Sequence, residues 1–138
     1  RLTAWYGEAS YTSSGLTLQP LPLTPLLAQL RTAVERVTGQ RYNSVLLNYY
    51  RDGADSMGMH SDDEPELGPQ PVIASLSYGA TRTFLLRHRR NNRTVKLDLT
   101  DGSLLLMAGT LQAHWRHGIN KTAKLVGPRL NLTFRYVG

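Results

Sequence analysis

Residues 129–136, Arg-Leu-Asn-Leu-Thr-Phe-Arg-Tyr, alternate strictly between polar and apolar. A period of two marks a strand, because successive side chains of an extended backbone point to opposite faces. One face carries Arg129, Asn131, Thr133 and Arg135; the other carries Leu130, Leu132, Phe134 and Tyr136. On an ordinary edge strand the polar face would look at water. Two arginines with an amide and a hydroxyl between them also form a row suited to a small dicarboxylate, since guanidinium forks pair with carboxylates in two-pronged geometry.

The rest of the chain agrees with a β-rich fold. Segments 44–50, 71–78, 83–89, 94–99, 103–107 and 114–119 read as short strands. Gly53, Gly68, Gly79, Asp101-Gly102, Gly109 and Gly118 punctuate them. Many short strands with turn signals imply a sandwich, barrel or jelly roll. One helix is predicted, with Thr24 as N-cap, Pro25 at the first helical position and Gly39 just past the end. Its stripe of Leu26, Leu27, Leu30, Val34 and Val37 is expected to pack on a sheet.

Met-His60-Ser-Asp62 and the distant Trp-Arg-His117-Gly supply an H-x-D…H set. Two imidazoles and one carboxylate on one face of an octahedral ion make a mononuclear non-haem Fe(II) site with positions left open. If 60–62 is extended, His60 and Asp62 share a side while Ser61 faces away. In the predicted strand 114–119, His117 travels with Trp115 and Ile119, whereas the rival ligand His114 travels with Arg116. Asn48 and Tyr50 likewise share one face.

Composition sets outer limits. The chain of 138 residues is long enough for one domain with a single core, spanning residues 1–138, and it has no cysteine. No apolar run is long enough for a membrane helix. The formal charge is +6 and the pI near 10.0, which suits a polyanionic partner. Arg82, Arg87, His88, Arg89, Arg90, Arg93 and Lys96 bracket a turn at Asn91-Asn92, and Lys121 and Lys124 form a second group. Arg87, Arg89, Arg90 and Arg93 are the expected phosphate contacts. Because the chain starts at Arg1 and shows no signal-peptide pattern, a further upstream segment of the natural chain is expected.

The motifs fall in a known order. His60-x-Asp62…His117 followed by Arg129-x-Asn131-x-Thr133-x-Arg135 resembles the AlkB family of Fe(II)- and 2-oxoglutarate-dependent dioxygenases. The segments 60–64, 74–80 and 128–135 resemble its nucleic-acid demethylases, and the likeness begins at Tyr11-Thr12. The resemblance implies a mainly β double-stranded β-helix (jelly roll) with an N-terminal helix packed on the sheet. It implies Fe(II) on His60, Asp62 and His117, with 2-oxoglutarate and O2 as co-substrates. Arg129, Asn131, Thr133, Arg135, Asn48 and Tyr50 would hold 2-oxoglutarate, with Arg129 assigned to the distal carboxylate and Arg135 to the one nearer iron.

The same resemblance implies oxidative demethylation of 1-methyladenine and 3-methylcytosine, with formaldehyde released and DNA favoured over RNA. Asp63 would meet the exocyclic amine of the damaged base, which requires a local kink. Tyr11 and Thr12 match the base-pocket segment. Ser13 departs from the pattern, since relatives carry a stacking aromatic there, worth about 1–3 kcal/mol per base. The alternatives are an RNA- or protein-directed dioxygenase of the same fold and a non-catalytic nucleic-acid-binding module. The expected protein is an intracellular monomer, cytoplasmic if bacterial and nuclear if eukaryotic.

Overall fold

A computed structural model describes residues 1–8, 11–13 and 16–138, leaving aside the side chains of 11–13, 16 and 18. The chain runs β1 (Leu2–Gly7), β2 (Tyr11–Ser13), β3 (Leu16–Leu18), α1 (Pro25–Thr38), β4 (Ser44–Tyr50) and β5 (Met57–His60). A 3-10 turn at Pro65–Leu67 leads to β6 (Ile73–Gly79), β7 (Arg82–His88), β8 (Thr94–Leu99) and β9 (Leu104–Met107). Then come α2 (Leu111–His114), β10 (Trp115–Ile119) and β11 (Arg129–Arg135). A five-stranded sheet, β1-β4-β11-β6-β9, faces a four-stranded sheet, β5-β10-β7-β8, and β2-β3 form a hairpin. Every paired strand in these sheets is antiparallel, as a jelly roll requires.

The alternating strand lies near the middle of its sheet rather than at an edge. β11 pairs with β4 on one side and β6 on the other, Asn131 standing opposite Asn48 and Ser77. Its apolar face is turned outward and covered by α1, where Leu27, Val34, Tyr42, Val45, Ala74, Leu132 and Phe134 form one buried cluster. Its polar face is turned inward, between the sheets. Apolar residues there close the rest of the interior, with Trp5, Tyr50, Ile73, Phe84, Leu99, Met107 and Ile119 in a second cluster. Each such fully buried side chain contributes about 1.5–3 kcal/mol.

α1 is built as its sequence predicts. Thr24 Oγ1 accepts from the Leu27 N–H at 3.2 Å, and Gly39, at φ 70°, donates to the Glu35 carbonyl. The apolar stripe is narrower than predicted: Leu27, Leu30 and Val34 pack, whereas Leu26 and Val37 stay exposed. Those two lie about a sixth of a turn round the helix from the centre of the packed line. Five of the seven predicted strands also shift by one or two residues at an end. His114 ends α2 instead of starting β10, and Tyr136 falls past β11, more than half exposed. Among the described residues, no helix is long and apolar enough to cross a membrane.

Candidate active site

β10 lies between β5 and β7, and its register sets His117 directly opposite His60. The register slips between His117 and Ile119, a bulge centred on Gly118. A Cβ there would come within 2.7 Å of the Met57 carbonyl oxygen, so only bare backbone allows the two strands to approach this closely. β5 ends at His60, which places Asp62 beyond the last strand residue. The extended pairing predicted for 60–62 is therefore replaced by a side-chain clamp: the Asp62 N–H donates to Gln112 Oε1 at 2.8 Å.

The three predicted ligands nevertheless converge. His60 Nε2 is 3.7 Å from Asp62 Oδ1, and His117 Nε2 is 3.7 Å from Asp62 Oδ2. Their ligating atoms lie within 4.8 Å of one another, and among the described residues this is the one such group of His, Asp or Glu. A carbonyl can only accept, so His60 Nδ1, 2.8 Å from the Gly58 oxygen, carries the proton and leaves Nε2 free to ligate. The His117 ring is buried and stacked on Phe84 at 5.3 Å.

Electrostatics set the protonation of the two buried members of the triad. Burial lowers the His117 pKa to about 4, the opposing pull of Asp62 notwithstanding, so its imidazole is neutral at physiological pH. Burial alone would raise the Asp62 carboxyl. The charge of Arg135, with the two histidines, outweighs that and holds it below its usual range. Arg135 Nη2 lies 3.3 Å from both Asp62 oxygens. A carboxylate and two imidazoles, that of His117 neutral, fit the donor set of a ferrous centre.

Beside the triad opens a small cavity of about 70 Å³, lined by all six residues expected to hold a dicarboxylate: Asn48, Tyr50, Arg129, Asn131, Thr133 and Arg135. They do not act alike. Asn131 donates to Ser75 Oγ and the Leu76 carbonyl and accepts from Thr133 Oγ1 at 2.8 Å and Asn48 Nδ2 at 3.3 Å. Its hydrogen-bonding capacity is spent inside the protein, so it braces the row instead of donating into the cavity. Arg129 donates Nη2 to Ser77 Oγ at 3.0 Å and lies 4.9 Å from the Tyr50 ring centre. Its Nε and Nη1 are buried with no acceptor among the described residues. Two unfilled donor nitrogens on a buried cation fit a carboxylate. The site therefore suits both the metal and 2-oxoglutarate.

The other predicted residues are less gathered. Asp63 is exposed, outside the cavity lining, and accepts from Arg89 Nη2 at 3.2 Å. Arg89 also donates to Ser61 Oγ, so it braces the ligand turn instead of standing free for phosphate. Arg87, Arg90 and Arg93 are exposed around the predicted turn. Tyr11, Thr12 and Ser13 form β2, but their side chains lie outside the described residues. Arg82 does not belong to the basic surface at all. It is 3% exposed and donates to the carbonyls of Asp52, Asp55 and Asn120.

Sequence reasoning missed Gln112, Arg1, Ser75 and Ser77. Ser75 and Ser77 share one face of Ser-Leu-Ser, a period-two signal that could have found them. Arg1, whose Nε donates to Asn48 Oδ1 at 2.8 Å, and Gln112 gave no such signal.

The sequence model of the 2OG-Fe(II) oxygenase superfamily matches residues 2–135. The chain belongs to that superfamily. Within it, this oxygenase domain is similar to AlkB homologues, as its motifs suggest. It is 49% identical to the alpha-ketoglutarate-dependent dioxygenase alkB homolog 3 of Mus musculus, over 99% of this chain and 51% of that protein. It is 46% identical to the DNA oxidative demethylase ALKBH2 of Homo sapiens, over 99% of this chain and 56% of that protein. The chain thus spans about half the length of the curated relatives it matches. The solved structure of OsALKBH1 superposes with a TM-score of 0.66 at 24% identity, covering 85% of this chain and 67% of that one. That likeness confirms the oxygenase fold.

Proposed function

We propose that this chain is the catalytic domain of an oxidative demethylase that repairs N-alkylated bases in DNA, 1-methyladenine and 3-methylcytosine above all. The observation that carries the reading is the convergence of His60, Asp62 and His117 beside a cavity with a buried, partly unfilled Arg129. The curated relatives named for DNA demethylation and alpha-ketoglutarate dependence support it. When bound, Fe(II) and 2-oxoglutarate supply the oxidising chemistry: O2 is consumed, succinate and CO2 form, and the hydroxylated N-methyl carbon leaves as formaldehyde.

The chain's own residues prepare that step. His60, Asp62 and His117 would hold the ion, with Arg135 and Gln112 fixing the carboxylate arm from opposite ends. Arg129 would fork onto the distal carboxylate of 2-oxoglutarate, and Arg135, tied to Asp62, would face the one nearer the metal. Leu46, Met57, Phe84 and Ile119 line the cavity with apolar surface and restrict water there. A methyl group inside a duplex cannot reach this interior, so the nucleotide enters flipped or single-stranded. Arg87, Arg90 and Arg93 would steady its phosphates, with Asp63 at the mouth exchanging Arg89 for the base amine. The reading is of an intracellular monomer acting on DNA in preference to RNA.

The test supplies Fe(II), 2-oxoglutarate and O2 with methylated DNA and RNA oligonucleotides and measures formaldehyde and restored base. The expected outcome is turnover on DNA that His117→Ala abolishes. Turnover on neither polymer rejects repair, and turnover surviving His117→Ala rejects the metal assignment.

A further inference from the structure

Gln112 is 3% exposed, sits in a four-residue helix and reaches across to the backbone of Asp62. We infer that Gln112 is a positioning residue for the metal site, acting through the peptide of Asp62. The inference rests on His60, Asp62 and His117 forming that site.

Three observations support it. First, Asp62 lies past the end of β5, so no strand pairing fixes its backbone, and the Gln112 contact does that work. Second, the amide can sit only one way round. The Asp62 N–H demands an acceptor, so Oε1 must face it at 2.8 Å, and Nε2 turns to the Met107 sulfur at 3.8 Å. A flipped amide would set two donors against each other. Third, α2 runs without a break into β10, so Gln112 and His117 ride on one continuous segment. His117 is registered opposite His60, and His60 leads within two residues to Asp62. The Gln112 hydrogen bond therefore closes a ring that contains all three ligands. On the neighbouring residue, Ser61 Oγ donates to the Trp115 carbonyl at 2.6 Å, a second tie to the same segment. With the carboxylate end held by Arg135, both ends of Asp62 are fixed.

Removing the acceptor leaves a buried N–H unpaired and frees the turn that aims the carboxylate. Outer contacts of this kind commonly change metal affinity about 10- to 100-fold. The experiment titrates Mn(II) into the purified chain by calorimetry and, in parallel, records the visible spectrum of the Co(II) form. Gln112→Met, close in volume but without an oxygen, is expected to weaken Mn(II) binding about 10- to 100-fold and shift the Co(II) bands, while the metal-free chain still melts cooperatively, a few degrees below the parent. Gln112→Glu keeps an oxygen acceptor and is expected to restore most of the affinity. If Gln112→Met fails to fold, Gln112→Asn, whose shorter side chain withdraws the oxygen, takes its place with the same expectation. Parent-like Mn(II) affinity in the acceptor-less variant, or no rescue by Gln112→Glu, overturns the inference. A parent chain that binds no Mn(II) overturns instead the metal-site reading beneath it.

Discussion

On the outward face of β11, Leu132 and Phe134 lie beneath α1 at 2% and 0% exposure, while on the inward face Arg129 and Arg135 are buried nearly as deeply, at 1% and 5%. The same backbone thus hides hydrocarbon on one side and permanent charge on the other. Burial on the first side stabilises, because apolar surface leaves water. On the second side it costs, because a desolvated guanidinium regains its hydration only in part. Ser77 and the Tyr50 ring offset some of that cost for Arg129, and Asp62 does so for Arg135. The cost left over, two unfilled donor nitrogens, is tolerable in a site that would take a ligand. Depth of burial alone therefore says nothing about what a side chain is for.

Substitutions can separate the two faces. Phe134→Ala should produce the largest effect, destabilising the fold by about 3–5 kcal/mol in urea titrations. The folded fraction should keep the parent KM for 2-oxoglutarate, and a changed KM would show that the faces are not independent. Arg129→Met should do the reverse, raising that KM about 10- to 100-fold through loss of a charge-assisted pair. The metal-free melting temperature of Arg129→Met should hold or rise, since a buried charge has been replaced by hydrocarbon.

A third effect depends on acidity. Folded His117 takes up its proton only near pH 4, but unfolded it would do so near the ordinary 6.5. Between those values the unfolded chain binds more protons, so the stability of the metal-free protein falls as pH drops through that window. One such group changes stability by at most about 1.4 kcal/mol per pH unit. Asp62, held below the usual carboxylate range, adds stability at higher pH that is lost only further down. Melting curves from pH 8 to pH 4 should show the slope, and His117→Gln should flatten its upper part. Least of all, Arg93→Ala on the exposed turn should alter stability by under about 0.5 kcal/mol. Its signature is a salt dependence of oligonucleotide binding reduced by about one phosphate contact.

How far the sequence revealed this architecture depended on periodicity. β11 was legible because its alternation is unbroken, and the caps of α1 because Thr24-Pro25 and Gly39 have local causes. The candidate ligand triad, whose three groups converge in the fold, was legible from residue type and spacing. β1 went unrecognised, since Leu-Thr-Ala-Trp-Tyr-Gly carries apolar residues on both faces, and so did β5, since Met-Gly-Met-His is short and holds a glycine. Arg82 read as surface charge because nothing local reveals three carbonyls converging on it from distant loops. Asp62 was placed on the right side for the wrong reason: a partner fifty positions away orients it, not a strand. Asn131 reads as a donor into the cavity, whereas its four hydrogen bonds all go to neighbouring strands or to Thr133.

Gly118 has no side chain to bind or react, yet its single hydrogen sets how near one imidazole can come to the other. A methyl group added there would press on the Met57 backbone and wedge β5 from β10. The tightest restriction on this centre thus lies where chemistry is absent: the tolerance of the His60–His117 approach narrows to the width of one missing carbon.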